Sequence, residues 1–204
     1  MPKLVEDYTN TIEIKKSKFI TILHRTNDEE EAKEFLKQVK KEHPNANHHC
    51  SAMIIGNIVR SSDDREPSGT AGRPMLDCLL GREMEDILAI VVRYFGGVKL
   101  GTGGLVRAYG SSVSQALDQA RLCQVKRLQV YSLEFGYEWI GKIDALLRNH
   151  NIEITLKNYE ETVQYQYITS LDISEEIKEI SAGSIVPVYL HDTEMEVEIE
   201  RKEG

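Results

Sequence analysis

The sequence predicts an α+β protein of two domains, and three observations carry that expectation. Runs with strand-like alternation and runs with helical spacing follow one another along all 204 residues. Charge balance changes sign near residue 132: Lys and Arg exceed Asp and Glu by 19 to 17 before it and fall short by 6 to 16 after it. The order of elements also becomes simpler there. Domains at 1–132 and 133–204 follow, the first strand of the second reaching back to about residue 126.

Taken in order, residues 11–25 alternate well enough for one or two strands. Asn27 or Asp28 then caps a helix reaching about His43, with Glu29, Glu30 and Glu31 in its first turn and Lys37, Lys40 and Lys41 toward its end, as the helix dipole favours. Pro44 ends it. The stretch CSAMIIGNIVRSSDD reads as a hairpin around Gly56-Asn57; if Ile55 faces Ile58, Cys50 comes opposite Asp63 and His49 opposite Asp64. A polar loop from Arg65 to Arg73 leads to a short helix from Pro74 to near Gly81, and DILAIVVRYF is a buried strand by its β-branched content. From Gly103 to about Leu122, Leu105, Tyr109, Val113, Ala116 and Ala120 recur at helical spacing, while Gly110, Ser111 and Ser112 keep one face small enough to lie close to a sheet.

The second part reads β-α-β-β-α-β, the ferredoxin-like order. Its elements are a strand near Arg127–Phe135, a helix Tyr137–Asn149, strands near Ile152–Lys157 and Val163–Leu171, a helix Ser174–Ser181 and a last strand near Met195–Ile199, whose start can shift within Leu190–Met195.

Composition, 41% hydrophobic and 28% charged, is that of a globular chain. The longest apolar run, Ile87–Phe95, is broken by Arg93 and too short to span a bilayer, and the first twenty residues lack the apolar centre of a secretion signal. A cytoplasmic protein with no membrane contact is expected. Cys50, Cys78 and Cys123 are odd in number and never in a CxxC pair, so they read as small buried thiols rather than a disulfide framework or a zinc site.

Two stretches carry chemistry. The first, YFGGVKLGTGGLVRAYG (residues 94–110), places six glycines in seventeen positions between a strand and a helix. A helix start leaves its first amide N–H groups free, and glycines permit positive φ and close approach, so an anion is the natural occupant. Gly101, Thr102, Gly103 and Gly104 supply backbone there; Arg73, Arg93, Lys99 and Arg107 supply charge. Neither a P-loop nor a dinucleotide fingerprint fits, since no Gly-Lys-Ser/Thr ending is present and Val106 stands where the latter wants Gly or Ala. Three readings stay open: tight packing of helix on sheet, contact with a polyanion, and a small phosphorylated ligand.

The second stretch joins HHC (48–50) to SSDDREPSGTAGRP (61–74) across the hairpin. His48, His49, Asp63, Asp64, Glu66, Ser68 and Thr70 gather at one end. They suit a divalent metal, a general base with its orienting carboxylate, or plain loop and strand caps. No metal and no cofactor is expected.

DDREPSGTAGRP and VVRYFGGVKLGTGGLVRAYG, with HHC upstream, closely resemble the signature of the IMPACT family, specifically its bacterial YigZ-like members. The resemblance covers the whole chain. It implies a first domain similar to the second domain of ribosomal protein S5 and a second, ferredoxin-like domain similar to the last domain of translocating elongation factors. It also implies a cytoplasmic, translation-linked regulator, with RNA or the ribosome as partner of the first domain and a translation-related protein as a further partner. No enzyme activity comes with it; a hydrolase or transferase working at the polar cluster and a purely protein-binding regulator are the alternatives. Arg65 departs from the pattern, which usually has Gly between Asp64 and Glu66.

Overall fold

The computed structural model describes residues 1–199, which form a mixed α/β structure with two sheets. Two compact units divide the chain: Met1–Gln124 with the described residues from Val197 onward, and Val125–Glu196. In chain order the first carries β1 (Pro2–Leu4), β2 (Tyr8–Ile14), β3 (Ser17–Arg25), α1 (Glu29–Glu42), β4 (His48–Ile55), β5 (Ile58–Ser62), α2 (Gly72–Gly81), β6 (Ile87–Tyr94) and α3 (Thr102–Gln119). Its main sheet has the order β2-β3-β6-β4-β5, antiparallel throughout.

Strand β6 lies at the centre of this sheet and is buried on both faces, which is why it is apolar without alternation. Ile87, Ala89 and Val91 belong to the core under α2 and α3, together with Met75, Leu79, Tyr109 and Val113. Leu88, Ile90 and Val92 belong to the core of the opposite face, against Ala32 and Val39 of α1. The small face of α3 does what its composition suggests: Ser112 hydrogen-bonds Thr21 of β3, both side chains being buried. Helix α1 is capped by Asp28, whose Oδ1 accepts the amides of Glu30 and Glu31 at 2.7 and 2.9 Å.

The hairpin keeps the expected register, Ile55 opposite Ile58 and Ser51 opposite Ser62. Its ladder stops there. Cys50 and His49 meet Asp63 and Asp64 through side chains, the Cys50 thiol against the Asp63 carbonyl at 3.0 Å and the His49 amide on Asp64 Oδ2 at 2.7 Å. The 11–25 region resolves into β2 and β3 joined by a turn at Lys15-Lys16, with φ of 47° and 65° and no glycine. β1, which periodicity did not reveal, pairs with Leu122–Gln124; three residues are too few to show a period.

After α3 come β7 (Leu122–Phe135), whose first three residues belong to the first unit, a 3-10 turn (Tyr137–Trp139), α4 (Ile140–Asn149), β8 (Glu153–Tyr159), β9 (Val163–Thr169), α5 (Ser174–Ile180) and β10 (Val188–Glu198), whose last two residues return to it. Pairing runs β10-β7-β9-β8. Leu133, Phe135, Ile143, Leu147, Val163, Tyr165 and Ile177 form the core of the second unit. Strand β10 begins at Val188 rather than near Met195, because Val188-Tyr189-Leu190 is itself strand-forming and Asp192 ties to Arg127 at 2.5 Å. Among the described residues no helix is long and apolar enough to cross a membrane.

The glycines that follow β6 have distinct duties. A Cβ on Gly96 would stand 2.0 Å from the carbonyl carbon and oxygen of Lys16, so only glycine lets the β2–β3 turn rest there; a Cβ on Gly103 would meet nothing within 4 Å. Gly96→Ala is therefore expected to cost about 1–3 kcal/mol or more in urea unfolding. Gly103→Ala, at the start of α3, is expected to be neutral or mildly stabilising. Equal effects of the two substitutions would contradict this division.

Candidate functional site

Arg93 follows Val91 on β6 in the same phase, so the two-residue period of the strand turns it onto the core face under α3. It is 5% exposed, opposite Phe19 on β3 and His48 on β4. A guanidinium so placed needs a counter-charge. Glu66 supplies it: Arg93 Nη1 donates to Glu66 Oε1 at 2.5 Å, and the Tyr109 hydroxyl donates to the same oxygen at 2.8 Å. His48 Nε2 stands 3.7 Å from that oxygen. Its Nδ1 donates to the Asp64 carbonyl at 2.9 Å, which fixes the ring's tautomer and orientation.

The loop carrying Glu66 is shaped by Asp63. Its carboxylate accepts the amides of Gly69, Ala71 and Gly72 at 2.8, 3.0 and 2.8 Å, capping α2 from nine residues upstream of Gly72. Burial by itself raises the Asp63 pKa, but the three amides outweigh it and hold the group below the ordinary carboxylate range. Thr70 closes the loop through its hydroxyl on the Pro67 carbonyl at 2.6 Å, while Ser68 is exposed. His49 donates from Nε2 to the His43 carbonyl at 3.1 Å; burial lowers its pKa against the opposing pull of that carbonyl and of Asp64. The Cys50 thiol, 3.3 Å from the Tyr109 hydroxyl, is pushed up to about 12, mainly by burial, and is therefore a neutral packing group rather than a nucleophile.

The glycine turn completes the site. Gly101 precedes α3 with φ of 75° and no side chain caps this helix, so the amides of Thr102, Gly103 and Gly104 have no partner among the described residues, while the Leu105 amide makes the first helical bond, to Gly101. A pocket of about 510 Å³ lies between this helix start and the Glu66 loop. His48, Glu66 and Pro67 line it from one motif, and Arg93, Phe95, Lys99, Leu100, Gly101, Thr102 and Leu105 from the other, with Asn47 beside them.

The structure thus gathers part of each expected set. Arg107, exposed on α3, and Arg73, exposed on α2 and ion-paired with Asp77 at 2.7 Å, lie outside the pocket lining. So do Gly103, Gly104, His49, Asp63, Asp64, Ser68 and Thr70. Arg93 lines the pocket but as a buried partner of Glu66. Among the described residues no group of three or more His, Cys, Asp or Glu is placed to hold a metal ion. Sequence reasoning missed Asn47, Phe95 and the polar use of Tyr109. Arg93's phase on the strand was the available signal that a buried anion had to exist.

The profile of the Impact N-terminal domain matches residues 15–117. The chain is 46% identical over 158 residues to IMPACT family member YvyE of Bacillus subtilis, covering 76% of this chain and 73% of that one. It is 47% identical over 153 residues to IMPACT family member YigZ of Escherichia coli, covering 72% and 75%. A crystal structure of a hypothetical protein, 39% identical, superposes with a TM-score of 0.59 over 93% of this chain and 97% of the other.

Arg65 takes φ of 70°, next to Asp64 at 38°. Left-handed backbone disfavours any residue with a Cβ. Arg65→Gly is accordingly expected to stabilise the fold by about 1 kcal/mol in chemical denaturation, with the slope of the unfolding transition unchanged. A loss of stability would mean that the hydrogen bond from Arg65 Nη2 to the Asn47 carbonyl, 3.3 Å long, outweighs the strain.

Proposed function

This chain belongs to the IMPACT family, with YigZ-like relatives, and on that premise we propose that it is a cytoplasmic, translation-linked regulator whose first unit holds RNA or the ribosome by phosphate groups. The supporting observation is the start of α3: three amides without partners among the described residues on an 18-residue helix, whose first residue Thr102 lines a pocket together with the exposed cation Lys99. Arg107, one turn into the same helix, and Arg73 on α2 extend the positive surface. Charge balance agrees, since the net negative charge lies after residue 132, where Asp and Glu exceed Lys and Arg by 16 to 6.

In this reading the polar cluster is structural. Asp63 caps α2, Asp64 holds the His49 amide, and Glu66 neutralises Arg93, so the loop shapes the wall of the anion site. The proposal extends to the architecture: domains at 1–132 and 133–204, the first strand of the second reaching back to about residue 126, with the first domain similar to the second domain of ribosomal protein S5 and the second ferredoxin-like. Strand order β10-β7-β9-β8 with two helical crossovers supports the latter. A translation-related protein is the proposed further partner.

Binding of single-stranded RNA and of ribosomes, titrated against salt, tests the reading. Each phosphate contact on a single strand contributes a slope of about −0.7 in log K against log salt. Lys99→Glu with Arg107→Glu is expected to make the slope shallower by about 1.4 and to weaken binding alike for every sequence, because phosphate contacts carry no base information. Unchanged affinity at low salt would leave the glycine turn as packing only.

A further inference from the structure

We infer that the pocket at the start of α3 seats one unstacked nucleotide of a single strand, its phosphate on the α3 amides and Lys99 and its base against the ring of Phe95; this rests on the phosphate reading above. Phosphate recognition requires neither an aromatic ring nor a cavity, and this site has both. Phe95 remains 46% exposed although it lines the pocket. Its amide donates to Asn47 Oδ1 at 2.8 Å, and the Arg93 guanidinium carbon lies 5.7 Å from its ring centroid. An exposed ring beside a cationic helix start is the pairing by which single strands are held, the ring taking a base face and the cations the backbone.

Two further groups on the wall have donors to offer. Because the Phe95 amide can only donate, it fixes which end of the Asn47 side chain is oxygen, and the Asn47 Nδ2 group is left without a partner among the described residues. Arg93, buried to 95%, makes one side-chain hydrogen bond, to Glu66, and its Nε has no partner among the described residues. An amide donor suits a carbonyl or ring nitrogen on a base edge, and an incompletely satisfied guanidinium suits the phosphate. Pro67, Leu100 and Leu105 provide the apolar remainder. The volume, about 510 Å³, is in the range of small-ligand sites, roughly 300–1,000 Å³, and fits a single nucleotide rather than a duplex. A base inside a helix has both faces covered, so the occupant comes from a single strand, a loop or an end.

The test compares a fluorescein-labelled 12-nucleotide single-stranded RNA with an abasic strand of the same length and phosphate count, by anisotropy at low salt, for the full chain and for Phe95→Ala and Phe95→Tyr. The parent is expected to prefer the base-bearing strand by roughly tenfold to a hundredfold. Phe95→Ala should erase that preference and leave the abasic strand bound as before, while Phe95→Tyr should keep it. If Phe95→Ala matches the parent on both strands, no base sits on this ring, and the phosphate reading survives alone. Equal losses on both strands would show the ring acting only through Arg93, which also overturns the inference. A parent that binds neither strand overturns both the inference and the reading beneath it.

Discussion

A buried ion pair organises the first unit. Arg93 stands on the central strand in the phase of its core-facing residues, and a guanidinium there without a counter-charge would be severely destabilising. Glu66 must therefore fold inward from the loop after β5, and that loop can do so only if its own backbone is satisfied. Asp63 provides this by gathering the amides of Gly69, Ala71 and Gly72, which at the same time starts α2. Tyr109 of α3 reaches the same Glu66 oxygen from the other side. Strand, loop and helix thus converge on one carboxylate, and the pocket is the space left above that convergence.

Much of the local structure was legible in the sequence because it follows from local rules. Asp28 at the head of α1, the Gly56-Asn57 hairpin with Ile55 opposite Ile58, the doubly buried β6 and the small-faced α3 each come from a period, a cap or a turn contained within the element. β1 was too short to show a period, and the Lys15-Lys16 turn adopts positive φ without the glycine that would have announced it. The start of β10 was ambiguous because strand-forming residues run from Val188 through the polar stretch that follows.

Of the candidate site, the two motifs were legible and their meeting was not. Glu66 and Arg93 are 27 positions apart, and nothing local in either stretch states that they touch. Residues quoted as one cluster part company in the fold: Asp63 and Asp64 support the loop, whereas His48 and Glu66 line the pocket. Phe95 escaped notice because an aromatic residue at a strand end is ordinary, and only its exposure beside Lys99 and Thr102 gives it significance. Gly96 admits the backbone of Lys16, whereas Gly101 supplies the turn in which α3 begins with open amides.

The dependence of the pocket on the buried pair is tested most directly by a double-mutant cycle on Glu66→Gln and Arg93→Met, followed by urea unfolding of the full chain. Each single substitution breaks the pair and is predicted to cost about 3–5 kcal/mol, Glu66→Gln by stranding a buried cation and Arg93→Met by stranding a buried anion. The double variant is predicted to cost clearly less than the sum, with a coupling of at least about 1.5 kcal/mol. Costs that simply add would show that Glu66 and Arg93 stabilise the fold independently, and that some other contact holds the loop over β6.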